Sequence, residues 1–175
     1  MFKAIVFSII IFFASVCQAQ YSYPDGTLVF SSKKGLIGRV AKRITGGDQY
    51  THVGIIIDGY IYEQDFPKSK KTKLSSYRYK PRSTNDFYVP ATPFSQDEVA
   101  KMKMYAESHL GQSYQLRNYF RPGSRRTSGN WCSPWTGKVL NASGKFNISY
   151  SGYFEPQNLL NCVRKDYHLF RRLVN

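Results

Sequence analysis

The chain has 175 residues, with 25 Lys and Arg against 11 Asp and Glu, and its formal net charge is +14. This length suits one domain with a hydrophobic core of its own and excludes a miniprotein that depends on disulfides. The positive charge favours anionic partners such as phospholipid surfaces, cell-wall polymers or nucleic acid. It serves solubility equally well, so charge alone does not decide the function.

Residues 1–19 have the features of a signal peptide. Lys3 supplies the positive charge, Ala4–Val16 is an apolar run, and Cys17–Ala19 places small residues at the positions that determine cleavage. The apolar run is shorter than the about 20 residues that a membrane-spanning helix needs. We therefore expect an exported protein, periplasmic or secreted, with residues 20–175 as a single mature domain.

Short apolar runs and amphipathic segments alternate along the rest of the chain, without an internal repeat or a domain linker. A Ser–Glu capping box at 95–98 predicts the start of one helix. The basic stretch at 67–82 is predicted to be an exposed loop. The predicted strands are Thr27–Ser31, Val53–Ile57, Tyr60–Gln64, Asp86–Val89, Phe146–Ser149 and Tyr167–Leu173, and the predicted helices cover 36–44, 96–110, 133–143 and 156–160.

The stretch 49–65 predicts a β-hairpin that brings two functional side chains together. Asp58-Gly59 between two strand patterns is a strong signal for a two-residue turn. In that register, residues whose numbers sum to about 117 face each other. His52 then lies opposite position 65, and Glu63 is its diagonal neighbour, within roughly 7–8 Å at the Cα level. We expect a hydrogen bond between His52 and Glu63.

The segment Gly129–Gly137, which reads G-N-W-C-S-P-W-T-G, places one cysteine between two tryptophans. Ser133 and Pro134 suit the first turn of a helix. A cysteine at a helix N-terminus lies at the positive end of the helix dipole, which favours the thiolate that attacks carbonyl carbon. Cys132 is therefore the expected nucleophile.

A second interpretation of the cysteines excludes the first. Once the signal peptide is removed, only Cys132 and Cys162 remain, and exported compartments permit a disulfide between them. A bridged Cys132 could not act as a nucleophile. Two cysteines without a close pair of histidines do not predict a structural zinc site, and the sequence indicates neither a metal nor a cofactor.

Cys132, His52 and Glu63 are the residue types that nucleophilic acyl transfer requires. A thiolate attacks, an imidazole takes and returns the proton, and a carboxylate orients the imidazole. The backbone N–H of Cys132 is the natural first donor to the oxyanion, whereas no second donor can be identified. The structural alternative is that the histidine and the cysteine serve only packing.

Several segments resemble one known family, the permuted papain-fold proteins of the YiiX/YaeF type. These proteins are related to NlpC-type cell-wall peptidases and to lecithin–retinol acyltransferase. In the family the histidine precedes the cysteine, as it does here, because the papain-like order is circularly permuted. The resemblance extends from about residue 25 to the end of the chain. The matching segments are T-H-V-G-I-I-I at 51–57 followed by a glutamate on the next strand, W-C-S at 131–133, D-G-T-L-V-F at 25–30 and G-Q-S-Y at 111–114.

The resemblance implies an α+β fold, circularly permuted and papain-like, in which a small antiparallel sheet or half-barrel packs against helices. It implies that Cys132, His52 and Glu63 are the catalytic residues of a thiol hydrolase. Such an enzyme would cleave amide bonds through an acyl-enzyme, and cell-wall peptides are the first expectation for its substrate.

Two alternatives to the amide hydrolase remain open. One is a lipid acyl hydrolase or acyltransferase, since relatives in the family act on acyl lipids. The other is a non-catalytic module that binds an anionic envelope polymer or lipid through Lys68–Lys73 and Arg121–Arg126. No nucleic-acid partner is expected, because no recognition motif accompanies the charge. The sequence does not indicate the oligomeric state.

Overall fold

The fold is described from a computed structural model, which describes residues 23–33, 49–77, 79, 83–115, 130–150 and 154–174. The expected signal peptide at 1–19, the predicted helix at 36–44 and the basic segment Arg121–Arg126 lie outside these residues. No helix in the described part of the chain combines the length and the apolar character that crossing a membrane would require.

The fold is α+β and consists of one open antiparallel sheet with helices. Its six strands lie in the order β4-β3-β2-β1-β5-β6, so β4 and β6 form the edges. The strands are β1 (Leu28–Lys33), β2 (His52–Ile57), β3 (Tyr60–Gln64), β4 (Ser69–Lys73), β5 (Ser83–Pro90) and β6 (Tyr167–Val174). The helices of the described residues are α1 (Gln96–Ser108), α2 (Cys132–Ala142) and α3 (Pro156–Val163), and a 3-10 turn covers Leu74–Ser76.

The main core lies between the sheet and the helices. Side chains alternate between the two faces of a strand, so every second residue of β1 and β2 belongs to this core. The fully buried residues that meet there include Leu28, Phe30, Val53, Ile55 and Ile57 from the strands and Trp135, Val139 and Leu140 from α2. Helix α2 therefore packs directly on the centre of the sheet.

The opposite face of the sheet is also covered. Val29, Ile56, Ile61 and Phe87 form a second buried cluster, and the aromatic ring of Tyr23 stacks on Phe87 with 4.5 Å between the ring centroids. Burial on both faces explains why all six residues of β2 are buried. It also explains why that strand reads as a continuous apolar run rather than as an alternating one.

The predicted hairpin is confirmed, including its register. Ile57 pairs with Tyr60, Ile56 with Ile61, and Ile55 with Tyr62. Both turn residues have positive φ, 52° at Asp58 and 72° at Gly59, which is the backbone of a type I′ turn. The twist of that turn matches the twist of the strands it joins, so the local sequence determines the pairing.

Three helix starts are also confirmed. The capping box of α1 has both its hydrogen bonds. The backbone N–H of Glu98 donates to the side chain of Ser95, and the backbone N–H of Ser95 donates to the side chain of Glu98. Helix α2 begins at Cys132, and α3 begins at Pro156. The final predicted strand is present as β6, which pairs with β5.

The prediction of an exposed loop at 67–82 is wrong over its first half. Ser69–Lys73 forms β4, which pairs with β3 at the edge of the sheet. Its lysines made the segment read as a loop, but charged residues are common on edge strands because they prevent pairing with other molecules. Ser69 is buried and Lys70 is exposed, as the alternation of a strand requires.

The strand predicted at Phe146–Ser149 is absent. This segment is irregular, and the side chain of Asn141 supplies the hydrogen bonds that a neighbouring strand would have supplied. Asn141 Nδ2 donates to the carbonyl of Ile148, and the N–H of Ile148 donates to Asn141 Oδ1, both at 2.8 Å. The backbone groups of Ile148 are thus satisfied without belonging to a sheet.

Replacing Leu28 by Ala tests the main core. Leu28 is fully buried on a central strand, so we expect the free energy of unfolding to fall by about 2–5 kcal/mol. The matched control is Leu169→Ala on β6, where the leucine is 46% exposed and the expected loss is about 0.5 kcal/mol or less. Urea denaturation followed by circular dichroism measures both values. Equal losses in the two variants would contradict this account of the core.

Candidate active site

The structure brings together the three side chains that the sequence predicted. His52 is the first residue of β2, Glu63 lies on β3, and Cys132 is the first residue of α2. His52 Nε2 and Glu63 Oε2 are 2.7 Å apart, as expected for these neighbours across the hairpin. The thiol of Cys132 lies close enough to the imidazole of His52 for each group to shift the pKa of the other. Since Nε2 faces the carboxylate, Nδ1 is the ring nitrogen left for the sulfur.

Cys132 owes its position to the way α2 begins. Trp131 is the N-cap residue, and its indole N–H donates to the carbonyl of Phe154 at 2.7 Å. This bond ties the start of the helix to the segment that precedes α3. The sulfur of Cys132 lies 3.7 Å from Ser133 Oγ, and the backbone of Val53 helps to lower the pKa of the thiol. Ser133, Val53 and the positive end of the helix dipole therefore all favour the thiolate.

A series of amides fixes the chain just before Cys132. Gln64 Nε2 donates to the carbonyl of Gln112 at 3.0 Å, and Asn130 Nδ2 donates to the side chain of Gln112 at 3.2 Å. The N–H of Gln115 donates to the carbonyl of Asn130 at 3.1 Å. These contacts connect β3 to the residue two positions before the sulfur. The sequence analysis did not find them, because nothing local in the chain indicates that these amides meet.

The charges at Cys132 and His52 support each other. Burial alone would raise the pKa of the Cys132 thiol above its ordinary 9.0, but the hydrogen bond and charge of His52 outweigh burial and lower this pKa. Burial alone would lower the pKa of His52 below its ordinary 6.5, but the bonds to Cys132 and Glu63 raise it. The two groups therefore favour a thiolate next to an imidazolium at neutral pH.

Glu63 is 2% exposed and depends on protein partners for its charge. Burial would raise the pKa of this carboxyl, but the hydrogen bond with His52 and the charges of His52 and Lys70 lower it. Lys70 Nζ lies 3.4 Å from Glu63 Oε1. The hydroxyl of Tyr77 donates to Glu63 Oε2 at 3.2 Å. Sequence reasoning missed Lys70 and Tyr77, because it placed both in the loop predicted at 67–82.

Gly54 provides the space that Glu63 occupies. It lies two residues after His52 on β2. A methyl group at this position would lie 3.3 Å from the Cβ of Glu63 and 3.2 Å from the backbone oxygen of Tyr62. The second contact is with backbone, which cannot move aside easily. A side chain at Gly54 would therefore crowd Ile61, the backbone of Tyr62 and Glu63, the partner of His52.

The disulfide interpretation does not describe this structure, because Cys132 and Cys162 are both free thiols. Cys132 is buried, whereas Cys162 is exposed on α3. Within the described ranges, no group of three or more His, Cys, Asp or Glu side chains is arranged to hold a metal ion. The arrangement that is present suits proton transfer and nucleophilic attack.

Comparison with known proteins shows a likeness in fold. No protein-family model matches the chain, and no curated protein matches it. Among solved structures, the fold is similar to that of the metalloprotein YiiX from Escherichia coli O157:H7, of the family DUF1105, with a TM-score of 0.61 and 12% sequence identity. The likeness covers 89% of this chain and 100% of that protein. At this identity it shows a shared, YiiX-like fold.

Alkylation of the folded protein tests the state of the thiol. At about pH 6 an ordinary thiol is almost entirely protonated, so rapid labelling by iodoacetamide requires a lowered pKa. We expect Cys132 to be labelled faster than Cys162, although Cys132 is only 4% exposed. In His52→Ala the order of the two cysteines should reverse. Peptide mass spectrometry measures both rates in one sample, and an unchanged order in the variant would contradict the proposed pairing.

Gly54→Ala tests the placement of Glu63. The added methyl group should displace Glu63 and weaken its bond to His52, so we expect slower labelling of Cys132 at about pH 6, by about fivefold if one net hydrogen bond is lost. Labelling of the exposed Cys162 should not change. Circular dichroism checks that the variant is folded. A folded variant that labels Cys132 at the rate of the unmodified protein would show that Glu63 does not need this space.

Proposed function

We propose that the protein is a cysteine hydrolase that cleaves amide bonds through an acyl-enzyme. The observation that carries this proposal is that the imidazole of His52 bonds to Glu63 and lies beside the thiol of Cys132, at the start of a helix. The lowered pKa of the thiol and the raised pKa of the imidazole add to it, since structural cysteines and histidines do not require this charge state.

In the first half of the reaction, the thiolate of Cys132 attacks the carbonyl carbon and forms a C–S bond. The π electrons of the carbonyl move to its oxygen, which becomes an oxyanion. The N–H of Cys132 lies in the first turn of α2, where backbone N–H groups have no partner within the helix, and it can donate to this oxygen. As the oxyanion collapses, the amine leaves and takes the proton of the His52 imidazolium.

In the second half, neutral His52 accepts a proton from water while the water oxygen attacks the thioester carbon. Collapse of this second tetrahedral intermediate breaks the C–S bond, which releases the carboxylic acid and restores the thiolate and the imidazolium. Glu63 stays ionised throughout, because its pKa is lowered. Its charge stabilises the imidazolium and its bond to Nε2 fixes the ring.

The order of the elements supports a circularly permuted papain-like arrangement. The histidine strand β2 precedes the cysteine helix α2 in the chain, and the two pack against each other in the main core. This is the order that the resemblance to permuted papain-fold proteins implied. The YiiX-like fold is consistent with it, although at 12% identity that likeness does not carry an activity.

We propose cell-wall peptides as the substrate, outside the cytoplasm. The support comes from the signal-peptide features of residues 1–19, the net charge of +14 and the resemblance to NlpC-type peptidases. Acyl lipids are the second substrate class that the resemblance allows. The non-catalytic binding module is disfavoured by the structure of its basic stretch. Lys70 is paired with Glu63 and Asp65, and Lys71 with Glu107, so part of the charge is used within the protein.

Cys132→Ala separates the enzyme from the binding module. We expect complete loss of turnover on cell-wall peptides and on acyl esters, with the protein still folded and its salt-sensitive binding to anionic polymers unchanged. Activity of the unmodified protein should increase with pH through the lowered pKa of Cys132 and decrease only as His52 loses its proton, above its ordinary 6.5. Release of amines and of free acids measures the two reactions. Turnover that survives in Cys132→Ala would overturn the proposal.

A further inference from the structure

We infer that Tyr77 is a positioning residue of the proposed active site, which holds the carboxylate of Glu63 in the orientation that directs it at His52. This inference rests on the proposed function. Tyr77 follows the 3-10 turn Leu74–Ser76, in a stretch without any sequence motif for catalysis.

The hydroxyl of Tyr77 and the imidazole of His52 bond to the same carboxylate oxygen. The distances to Glu63 Oε2 are 3.2 Å from the hydroxyl and 2.7 Å from Nε2. An ionised carboxylate oxygen accepts two hydrogen bonds, so both fit. Because Glu63 is buried, water has little access to replace a missing donor. The position of Tyr77 therefore sets the rotation of the carboxylate about its side chain.

The ring of Tyr77 is itself held in place. The backbone N–H of Tyr77 donates to the carbonyl of Leu74 at 3.2 Å, and the backbone N–H of Leu74 donates to the carbonyl of Gly59 at 2.9 Å. The ring meets that of Tyr79 edge-on, with 5.0 Å between the centroids. It also packs against the second buried cluster of the sheet. The hydroxyl that contacts Glu63 is therefore carried by a fixed aromatic ring rather than by a flexible side chain.

Lys70, the other partner of Glu63, is less suited to this task. Its side chain is 46% exposed, and its ammonium is shared with Asp65 at 3.1 Å. It contributes charge, but solvent and the second carboxylate weaken its hold on one geometry. The hydroxyl of Tyr77 keeps its proton and can donate it to Glu63, because burial and the charge of Glu63 raise the pKa of the phenol. This hydrogen bond fixes the carboxylate of Glu63, while the proton on Nε2 of His52 stays in the bond between His52 and Glu63.

Tyr77→Phe removes this donor and keeps the ring. We expect the labelling rate of Cys132 at about pH 6 to fall by about fivefold, which corresponds to one net hydrogen bond. The pH at which labelling falls off on the acid side should move upward, because Glu63 then accepts a proton more readily and supports His52 less. The matched control is Tyr79→Phe. It removes a hydroxyl from the neighbouring ring, and we expect the pH profile of the unmodified protein.

Iodoacetamide labelling over a range of pH, with Cys162 as the reference in each digest, measures these profiles. In the background Glu63→Gln, the further change Tyr77→Phe should have no effect, since Tyr77 acts through that carboxylate. A profile of Tyr77→Phe that overlays that of Tyr79→Phe would overturn the inference. So would an equal effect of Tyr77→Phe with and without Glu63→Gln.

A second variant keeps the test decisive where Tyr77→Phe does not fold. Site-specific replacement of Tyr77 by 3-fluorotyrosine retains the hydroxyl and nearly the ring size and makes the hydroxyl a stronger donor. The acid-side limit of labelling should then move downward, and an unmoved limit would overturn the inference. Labelling requires no substrate. A Cys132 with normal labelling but no turnover would refute the proposed hydrolase. Identical labelling profiles of Tyr77→Phe and Tyr79→Phe would refute only the role of Tyr77.

Discussion

The burial of Glu63 is the constraint on which the arrangement of the site depends. A carboxylate that is removed from water must be paired and hydrogen-bonded, or it loses its charge. Here its partners come from separate parts of the sheet: His52 from β2, Lys70 from β4 and Tyr77 from the turn that follows β4. The tight hairpin brings the histidine within reach. The edge strand, which resembles a loop in sequence, returns the chain so that a lysine and a tyrosine reach the same carboxylate.

The nucleophile is attached to this sheet by different means. Helix α2 packs its apolar side chains on the sheet, which sets the position of its axis but not of its first residue. The first residue is set by polar contacts: the indole of Trp131 with the carbonyl of Phe154, and the side chain of Asn130 with Gln112. The backbone of Val53 also helps to lower the pKa of the thiol. Apolar packing thus brings the two halves of the site together, and hydrogen bonds align them.

The parts of this molecule that the sequence predicted are those with local signals. Asp58-Gly59 determined the hairpin and its register, and the capping box of Ser95 and Glu98 determined the start of α1. The meeting of His52 with Glu63 followed from that register. The meeting of both with Cys132 was predicted from chemistry and from the family resemblance, since no local rule brings α2 to β2. Contacts that exist only after folding were missed: the pairing of Ser69–Lys73 with β3, the amides around Gln112, and the hydroxyl of Tyr77.

The charges of the site alternate in sign along the network, and this alternation makes a thiolate compatible with burial. The thiolate of Cys132 adjoins the imidazolium of His52, which adjoins the carboxylate of Glu63, which adjoins the ammonium of Lys70. Each buried charge is stabilised by its neighbour, and without a partner it would destabilise the folded protein. The lowered pKa of the Cys132 thiol depends on His52, and the raised pKa of His52 depends in turn on Glu63. The lowered pKa of this cysteine is therefore a property of the sheet as much as of the helix that carries it.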